Sequence, residues 1–393
     1  LKRRVVTAPA ERVEKLSSPF LAELDGLKRA LVRKGRDVID LSRFNLSIDP
    51  SQGDAESASL STLDIKRTIS GYLESTYGAK IDPEHEMLLL PGGRATLLLL
   101  GAYLVESDRT CYVPDPGFTA YRHMSVLFKG EIERYKLHER NDYLPNLKQF
   151  EEKKPKSLRL LMINSPHNPT GAVWDKPLYA KLEQMAAREN ILVIVDSSYC
   201  LNSIGNFRAP LFCEQHRRLK VGMEMFSLST NLCAPGLKLT VLIGRRQLLT
   251  PLARLVNSFG LTPCEAVLKA SSHYFSSARA LTDHIAKCRA EIRTRTSRVA
   301  GILGDAGIEY YPLITMPYLW VKLRRNRVSL YFARSLLRRR AVAVAPGSAF
   351  GEEGEGWIRI AVNESGKRLT QAVSEIVKQY QPIKSRLRER RKE

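Results

Sequence analysis

Ile191-Leu192-Val193-Ile194-Val195 is an unbroken apolar run, and Asp196-Ser197-Ser198-Tyr199 follows it at once. Consecutive apolar, β-branched residues without alternation describe a strand buried on both faces. A carboxylate and a phenol at its carboxyl end stand where open α/β sheets bind their ligands. Working outward, Met87-Leu88-Leu89-Leu90, Thr110-Cys111-Tyr112-Val113, Leu158 to Ile163, Met225 to Leu228 and Leu239 to Ile243 read as strands of the same kind. Between several of them lie segments with apolar residues near helical period, such as Leu178 to Glu189. This alternation predicts an α/β fold whose large domain has a mostly parallel sheet covered by helices on both faces. From about Leu281 the pattern changes to a long Arg-rich helix reaching roughly Leu303. The strand Tyr318 to Leu323, a second helix, the segment Val342 to Ser348 and the strand Trp357 to Val362 follow. These predict a smaller α+β domain, with a helix over about Leu21 to Arg33 packed on it. The expected division is 1–45 for that N-terminal segment, 46–280 for the large domain and 281–393 for the small domain with its basic tail.

Outside the opening strand, Asn164-Ser165-Pro166-His167-Asn168-Pro169-Thr170-Gly171 follows the run that ends at Ile163. Its prolines and glycine set a tight turn that presents side chains at a strand end. Gly92-Gly93-Arg94-Ala95-Thr96 stands between a strand and a helix. Glycines there let backbone N–H groups approach a phosphate at the helix N-terminus. Taken singly, such turns and a strand-end aspartate are common in any α/β protein. The joint spacing of Asn168, Asp196 and Tyr199 is what carries information.

Ser227-Leu228-Ser229-Thr230 and Ala234-Pro235-Gly236-Leu237-Lys238 complete the pattern. With them the chain resembles the class I/II, fold-type I pyridoxal-phosphate (PLP) aminotransferases, from about Arg12 to Lys378. The turn at Asn164 is similar to that family's N-P-x-N-P-T-G, and Asp196 to Tyr199 is similar to its D-x-x-Y. The resemblance implies that Asp196 pairs with the protonated pyridine nitrogen and keeps the ring an electron sink. It implies that Asn168 and Tyr199 hydrogen-bond the phenolic oxygen. Pro114-Asp115-Pro116-Gly117-Phe118-Thr119-Ala120-Tyr121 looks like the turn whose first aromatic, here Phe118, stacks on the cofactor. Gly93, Arg94, Ser227 and Ser229 are implied in phosphate binding. Lys238 takes the place of a phosphate-binding arginine, keeping the charge and losing the bidentate fork. Arg359, in Trp357-Ile358-Arg359-Ile360-Ala361, matches the arginine that clamps the substrate α-carboxylate, with Asn168 beside it.

Two departures shape the functional reading. The S-x-S-K motif puts the Schiff-base lysine where this chain has Thr230. A threonine hydroxyl forms no imine, and its pKa is far too high for acid–base work near neutral pH. The ungapped spacing from Thr230 to Lys238 matches the motif, so Lys238 and Lys220 are poor replacements. The family's Y-x-x-x-x-G, whose tyrosine reaches the partner subunit's phosphate site, is missing from Glu56 to Ser61.

Composition bounds the rest. The 393 residues are 44% apolar, enough for two cores, and the longest apolar run, Thr96 to Val105, is too short to cross a bilayer. Six dispersed cysteines without a C-x-x-C pair favour a reducing compartment, no structural zinc, and core-filling roles for Cys200 and Cys233. A cytoplasmic location is expected; an organellar one stays compatible, because the chain begins at Leu1. The net charge of +21 is concentrated at Arg324 to Arg327, Arg338 to Arg340 and the tail Lys384 to Lys392. No nucleic-acid motif or interleaved aromatic row accompanies it, so nucleic-acid binding is the least favoured reading. The leading expectation is an amino acid/2-oxo acid aminotransferase-family protein that binds PLP or pyridoxamine phosphate noncovalently. Its ordinary transamination is impaired by Thr230, with Tyr199 the nearest proton carrier. The alternative is a non-catalytic member acting as a binding, regulatory or hetero-oligomer subunit. A homodimer is expected from the resemblance.

Overall fold

Two sheets organise the chain. The computed structural model describes residues 10–16, 19–49, 60–151, 159–203, 207–311, 316–324 and 327–380. In chain order the strands are β1 (Ile39–Leu41), β2 (Met87–Leu90), β3 (Thr110–Asp115), β4 (Glu131–Lys136), β5 (Arg159–Asn164) and β6 (Ile191–Asp196). They continue with β7 (Gly222–Ser227), β8 (Thr240–Ile243), β9 (Tyr318–Lys322), β10 (Val342–Pro346) and β11 (Trp357–Ala361). The larger sheet has seven strands in the order β2-β8-β7-β6-β5-β3-β4. Strands β4, β3, β5, β6 and β7 run parallel, and β8 is antiparallel to both of its neighbours.

Strand alternation divides the sheet's two faces. Leu192 and Ile194 of β6 join a core with Leu97 and Leu100 of the helix Gly93–Leu104 and Leu252 of the helix Arg246–Ser258. Val193 and Val195 point the other way, into a core with Tyr179 and Leu182 of the helix Lys176–Arg188. Strands β3, β5, β6 and β7 are buried along their whole length. The sequence therefore reads as apolar runs there. Strand β4, Glu-Ile-Glu-Arg-Tyr-Lys, is the exposed edge and carries the charges that discourage further pairing.

The second sheet has the order β1-β10-β11-β9, with β1 parallel to β10 and the other pairs antiparallel. Its core includes Leu24 of the helix Pro19–Arg33, Leu336 of Ser329–Arg340 and Leu369 of Gly366–Tyr380. The 28-residue helix Ala278–Asp305 serves both cores, with Leu281 and Ile285 in one and Val299 and Leu303 in the other.

The topology gathers polar residues at one edge. Asp115, Asn164, Asp196 and Ser227 are the last residues of β3, β5, β6 and β7. Register places Asn164 directly beside Asp196. The crevice beyond these parallel strand ends is where this class of sheet binds its ligand.

Candidate functional site

Asp196 sits at the centre, with only 5% of its surface exposed. Its Oδ2 accepts a 2.7 Å hydrogen bond from the Tyr121 hydroxyl, and its Oδ1 accepts from Ser198 N at 3.0 Å and from the Ser198 hydroxyl. Burial pushes the Asp196 pKa up, and the Ser198 and Tyr121 hydrogen bonds pull the other way. Among the described residues no basic side chain pairs with this carboxylate. The local turn is fixed by Asn164, whose Nδ2 donates to Asp196 O at 2.7 Å and whose Oδ1 accepts from Asn168 N at 2.7 Å. His167 lies within that turn, fully buried, with Nδ1 2.8 Å from Thr170 Oγ1; burial pushes its pKa down to about 3.

Asn168 links this centre to the small sheet. Its Nδ2 reaches the Tyr199 hydroxyl at 3.5 Å, and its Oδ1 accepts from Arg359 at 2.6 Å. Arg359 also donates to Ser42 O at 2.8 Å. The Arg359 guanidinium carbon lies 4.0 Å from the Tyr318 ring centroid and 4.7 Å from that of Phe350. The side chain is buried, its Nε has no hydrogen-bond partner, and no carboxylate pairs with it among the described residues. The Tyr199 hydroxyl lies 3.3 Å from that of Tyr318. Burial, and Tyr318 after it, hold the Tyr199 phenol pKa well above its ordinary value. The Tyr199 hydroxyl thus stands between the Asn168 amide and the Tyr318 hydroxyl.

The turn carrying Thr230 is the helix Leu228–Asn231 at the end of β7. Ser227 caps it, its Oγ accepting from Thr230 N at 3.3 Å and lying 2.9 Å from Thr230 Oγ1. Ser229 Oγ accepts from Leu239 N at 2.9 Å, which folds the Cys233–Lys238 loop back on this turn. Lys238 is exposed, and its backbone adopts φ +48°. A Cβ on Gly92, itself at φ +87°, would stand 3.3 Å from the Lys238 backbone. Glycine is thus required at Gly92, whereas a Cβ on Gly93 would make only ordinary contacts of 3.7 Å and 3.9 Å. Arg94 is exposed and places its guanidinium 5.4 Å from the Phe118 ring centroid. The amides at the start of Gly93–Leu104 have no intrahelical acceptor, as at any helix N-terminus.

The structure thus brings Asn168, Asp196, Tyr199 and Arg359 into one hydrogen-bonded centre. Ser227, Ser229 and Thr230 form one neighbouring group, and Gly92, Gly93 and Lys238 form another. Sequence reading missed the Asp196 supports Tyr121 and Ser198, and the Arg359 supports Ser42, Tyr318 and Phe350. Tyr121 was within reach as the last aromatic of the Pro114 turn. Ser42 and Tyr318 lie far from the motifs in sequence and carried no local signal. Phe350 stands in Ala345 to Gly351, a segment just before Arg359 that also resembles the family, but nothing in it told that the ring meets the guanidinium. Cys200 and Cys233 are buried among apolar residues. Most of Glu56 to Ser61 and the basic tail lie outside the described residues.

The donor set fits PLP, the cofactor that the resemblance implies. A buried carboxylate without a cation suits a protonated pyridine nitrogen, and a buried guanidinium without an anion suits a carboxylate. A family profile described as aminotransferase class I and II matches residues 50–376. The LL-diaminopimelate aminotransferase of Halothermothrix orenii is 26% identical over 385 residues, covering 93% of this chain and 97% of that protein. That of Syntrophobacter fumaroxidans is 27% identical, covering 94% and 98%. Among solved structures, substrate-bound BacF of Bacillus subtilis superposes with a TM-score of 0.84 at 23% identity, covering 96% of this chain and 99% of that one. A probable N-succinyldiaminopimelate aminotransferase of Thermus thermophilus gives 0.78 at 25% identity, covering 92% and 100%. The chain belongs to the aminotransferase class I and II family.

Proposed function

We propose that this protein holds PLP or pyridoxamine phosphate without a covalent bond, in a pocket that also takes an amino acid or 2-oxo acid. The observation that carries the reading is Asp196: a buried carboxylate, oriented from two sides, with no basic partner among the described residues. The family's cofactor, when bound, supplies the electron sink for the reaction. The chain's own part is positional. Asp196 provides the counter-charge for the pyridine nitrogen, and Tyr121 and Ser198 keep that carboxylate from rotating. Asn168 and Tyr199 provide donors to the phenolic oxygen, and Phe118 an aromatic face. Gly93, Arg94, Ser227, Ser229 and Lys238 are assigned to the phosphate, Arg94 and Lys238 with a charge and the others with amides or hydroxyls. Arg359 takes the substrate α-carboxylate, with Asn168 holding one guanidinium nitrogen.

Thr230 limits turnover. General acid–base catalysis is worth about 10²–10⁴-fold, and ordinary transamination draws it from the lysine that this chain lacks. A second reading, a non-catalytic binding or regulatory subunit, is favoured by the Thr230 hydroxyl lying against Ser227 Oγ. A homodimer and a cytoplasmic location belong to the proposal through the resemblance. Restoring the lysine tests the pocket. Thr230→Lys, incubated with PLP, is expected to gain an absorbance band reducible by borohydride, and a peptide labelled at position 230. A well-folded Thr230→Lys protein with neither would reject an intact cofactor pocket.

A further inference from the structure

Asp115 is a second buried carboxylate at a strand end, 3% exposed, and the reading above gives it no role. It is the last residue of β3 in the larger sheet, yet both of its oxygens serve a loop of the smaller one. Oδ1 accepts from Glu353 N at 3.0 Å and Oδ2 from Glu352 N at 3.3 Å. The contact is close enough to dictate sequence: a Cβ on Gly351, at φ +139°, would lie 2.0 Å from Asp115 Oδ1. Two residues past this strand end, Gly117 N donates to Phe350 O at 2.8 Å. The neighbouring edge strand adds ion pairs from Arg134 to Asp115 and Glu352, and from Lys136 to Glu353 at 2.7 Å. His138 lies 3.2 Å from Glu353.

The clasped loop carries Phe350, whose ring and that of Tyr318 lie against the Arg359 guanidinium. Phe350 is also in edge contact with Trp320 of β9, at 5.9 Å. The guanidinium therefore depends for one of its aromatic contacts on a loop whose backbone is held by the other sheet. The cofactor-side residues are Asp196 at the end of β6, Tyr199 in the turn after it and Asn168 in the turn after β5. None of the three makes any of these bonds, although Asn168 accepts from Arg359 and Phe118 follows the clasped Gly117.

We propose that Asp115 is a positioning residue: by holding the Gly351–Glu353 backbone it sets Phe350, and through it Arg359, for an anionic ligand. The inference rests on the reading that Arg359 takes a carboxylate, and it separates carboxylate binding from cofactor binding. Removing the carboxylate leaves two loop amides without acceptors and loosens the ring. Arg359 then retains Asn168 and Ser42 but loses a fixed plane. A planar, preorganised fork is what makes arginine a strong carboxylate ligand.

The test titrates pyruvate and 2-oxoglutarate into the full chain, followed by tryptophan fluorescence, since Trp320 touches Phe350. Titrations are run with and without pyridoxamine phosphate. Asp115→Asn keeps the shape and one acceptor; Gly351→Ala attacks the same contact from the loop side. Both variants are expected to bind the carboxylates about 10-fold more weakly. Pyridoxamine phosphate affinity stays within about twofold, and amide exchange at Gly351 to Glu353 rises. Faster exchange with unchanged carboxylate affinity would overturn the proposal. So would an equal fall in cofactor and carboxylate affinity in both variants, because that marks a merely structural role. Carboxylate binding by the cofactor-free chain, lost in the variants, would uphold the clasp even if no cofactor bound.

Discussion

Thr230 is placed in a donor–acceptor pair with Ser227, two hydroxyls 2.9 Å apart at a helix start. That arrangement stabilises the turn and leaves no basic group at the position. Thr230→Val keeps the shape and the Ser227 cap on the Thr230 amide but removes the hydroxyl pair. It is expected to cost about 0.5–1.5 kcal/mol of stability, read by urea unfolding, and to leave cofactor affinity unchanged. A large loss of cofactor affinity would instead make the hydroxyl a ligand. At this scale the sequence was legible wherever the chemistry is local. Asn168, Asp196 and Tyr199 stand in short motifs at the ends of readable strands. The contacts of Tyr318, Phe350 and Ser42 with Arg359 were illegible, though Phe350 stands in a segment that resembles the family, because they form only through the docking of separate loops and strands. Tyr199 was legible as a member of its motif, but the upward direction of its pKa follows from burial beside Tyr318, which no motif records.

The elements follow the same division. Strands β3, β5, β6 and β7 are buried on both faces and so announce themselves as apolar runs. Strand β4 was missed because an edge strand alternates charge with partly buried residues, Glu131 to Lys136, and reads as polar. Strand β1, three residues long, was missed for want of length; only its pairing with β10 makes it a strand. The Asn164–Gly171 turn makes a pH prediction. His167 is buried there with a pKa pushed down to about 3. A base whose folded pKa lies below its unfolded value of about 6.5 binds protons preferentially in the unfolded chain. Its stability contribution is complete above about pH 6.5 and is lost as pH falls from there toward 3. Buried carboxylates with raised pKa, Asp196 and Asp115 among them, act in the opposite sense. The measurement is therefore a difference: between pH 7 and 5 the chain should lose more stability than His167→Gln does. Equal slopes would show that His167 is not buried as a neutral group.

Across the whole molecule, the site exists because two sheets with separate cores meet at one crevice. The larger sheet supplies Asp196, Asn168 and the Thr230 turn; the smaller supplies Arg359, Tyr318 and Phe350. Most strands of both sheets were readable, but the way the sheets interlock was not, since it rests on contacts such as Arg359 to Asn168 across 191 positions of chain. The net charge of +21 also looks different once folded. Arg340 pairs with Glu375 and Arg334 with Glu23, while Arg324 and Arg327 lie over the Tyr380 and Phe332 rings. These four arginines are thus engaged within the chain. Retention on immobilised DNA is expected to be weak and lost by about 0.2 M salt, as for a sequence-independent charge contact. Retention that persists above that salt would point to a specific nucleic-acid partner.

The central claim is that the pocket holds its cofactor without the covalent anchor. Calorimetric titration of pyridoxamine phosphate, which needs no lysine, into the chain and into Asp196→Ala tests it most directly. The account predicts saturable binding at concentrations below about 1 mM, weakened about 10–100-fold or more by Asp196→Ala, the scale of a lost charge-assisted hydrogen bond. No binding at millimolar pyridoxamine phosphate, or binding indifferent to Asp196→Ala, would contradict it.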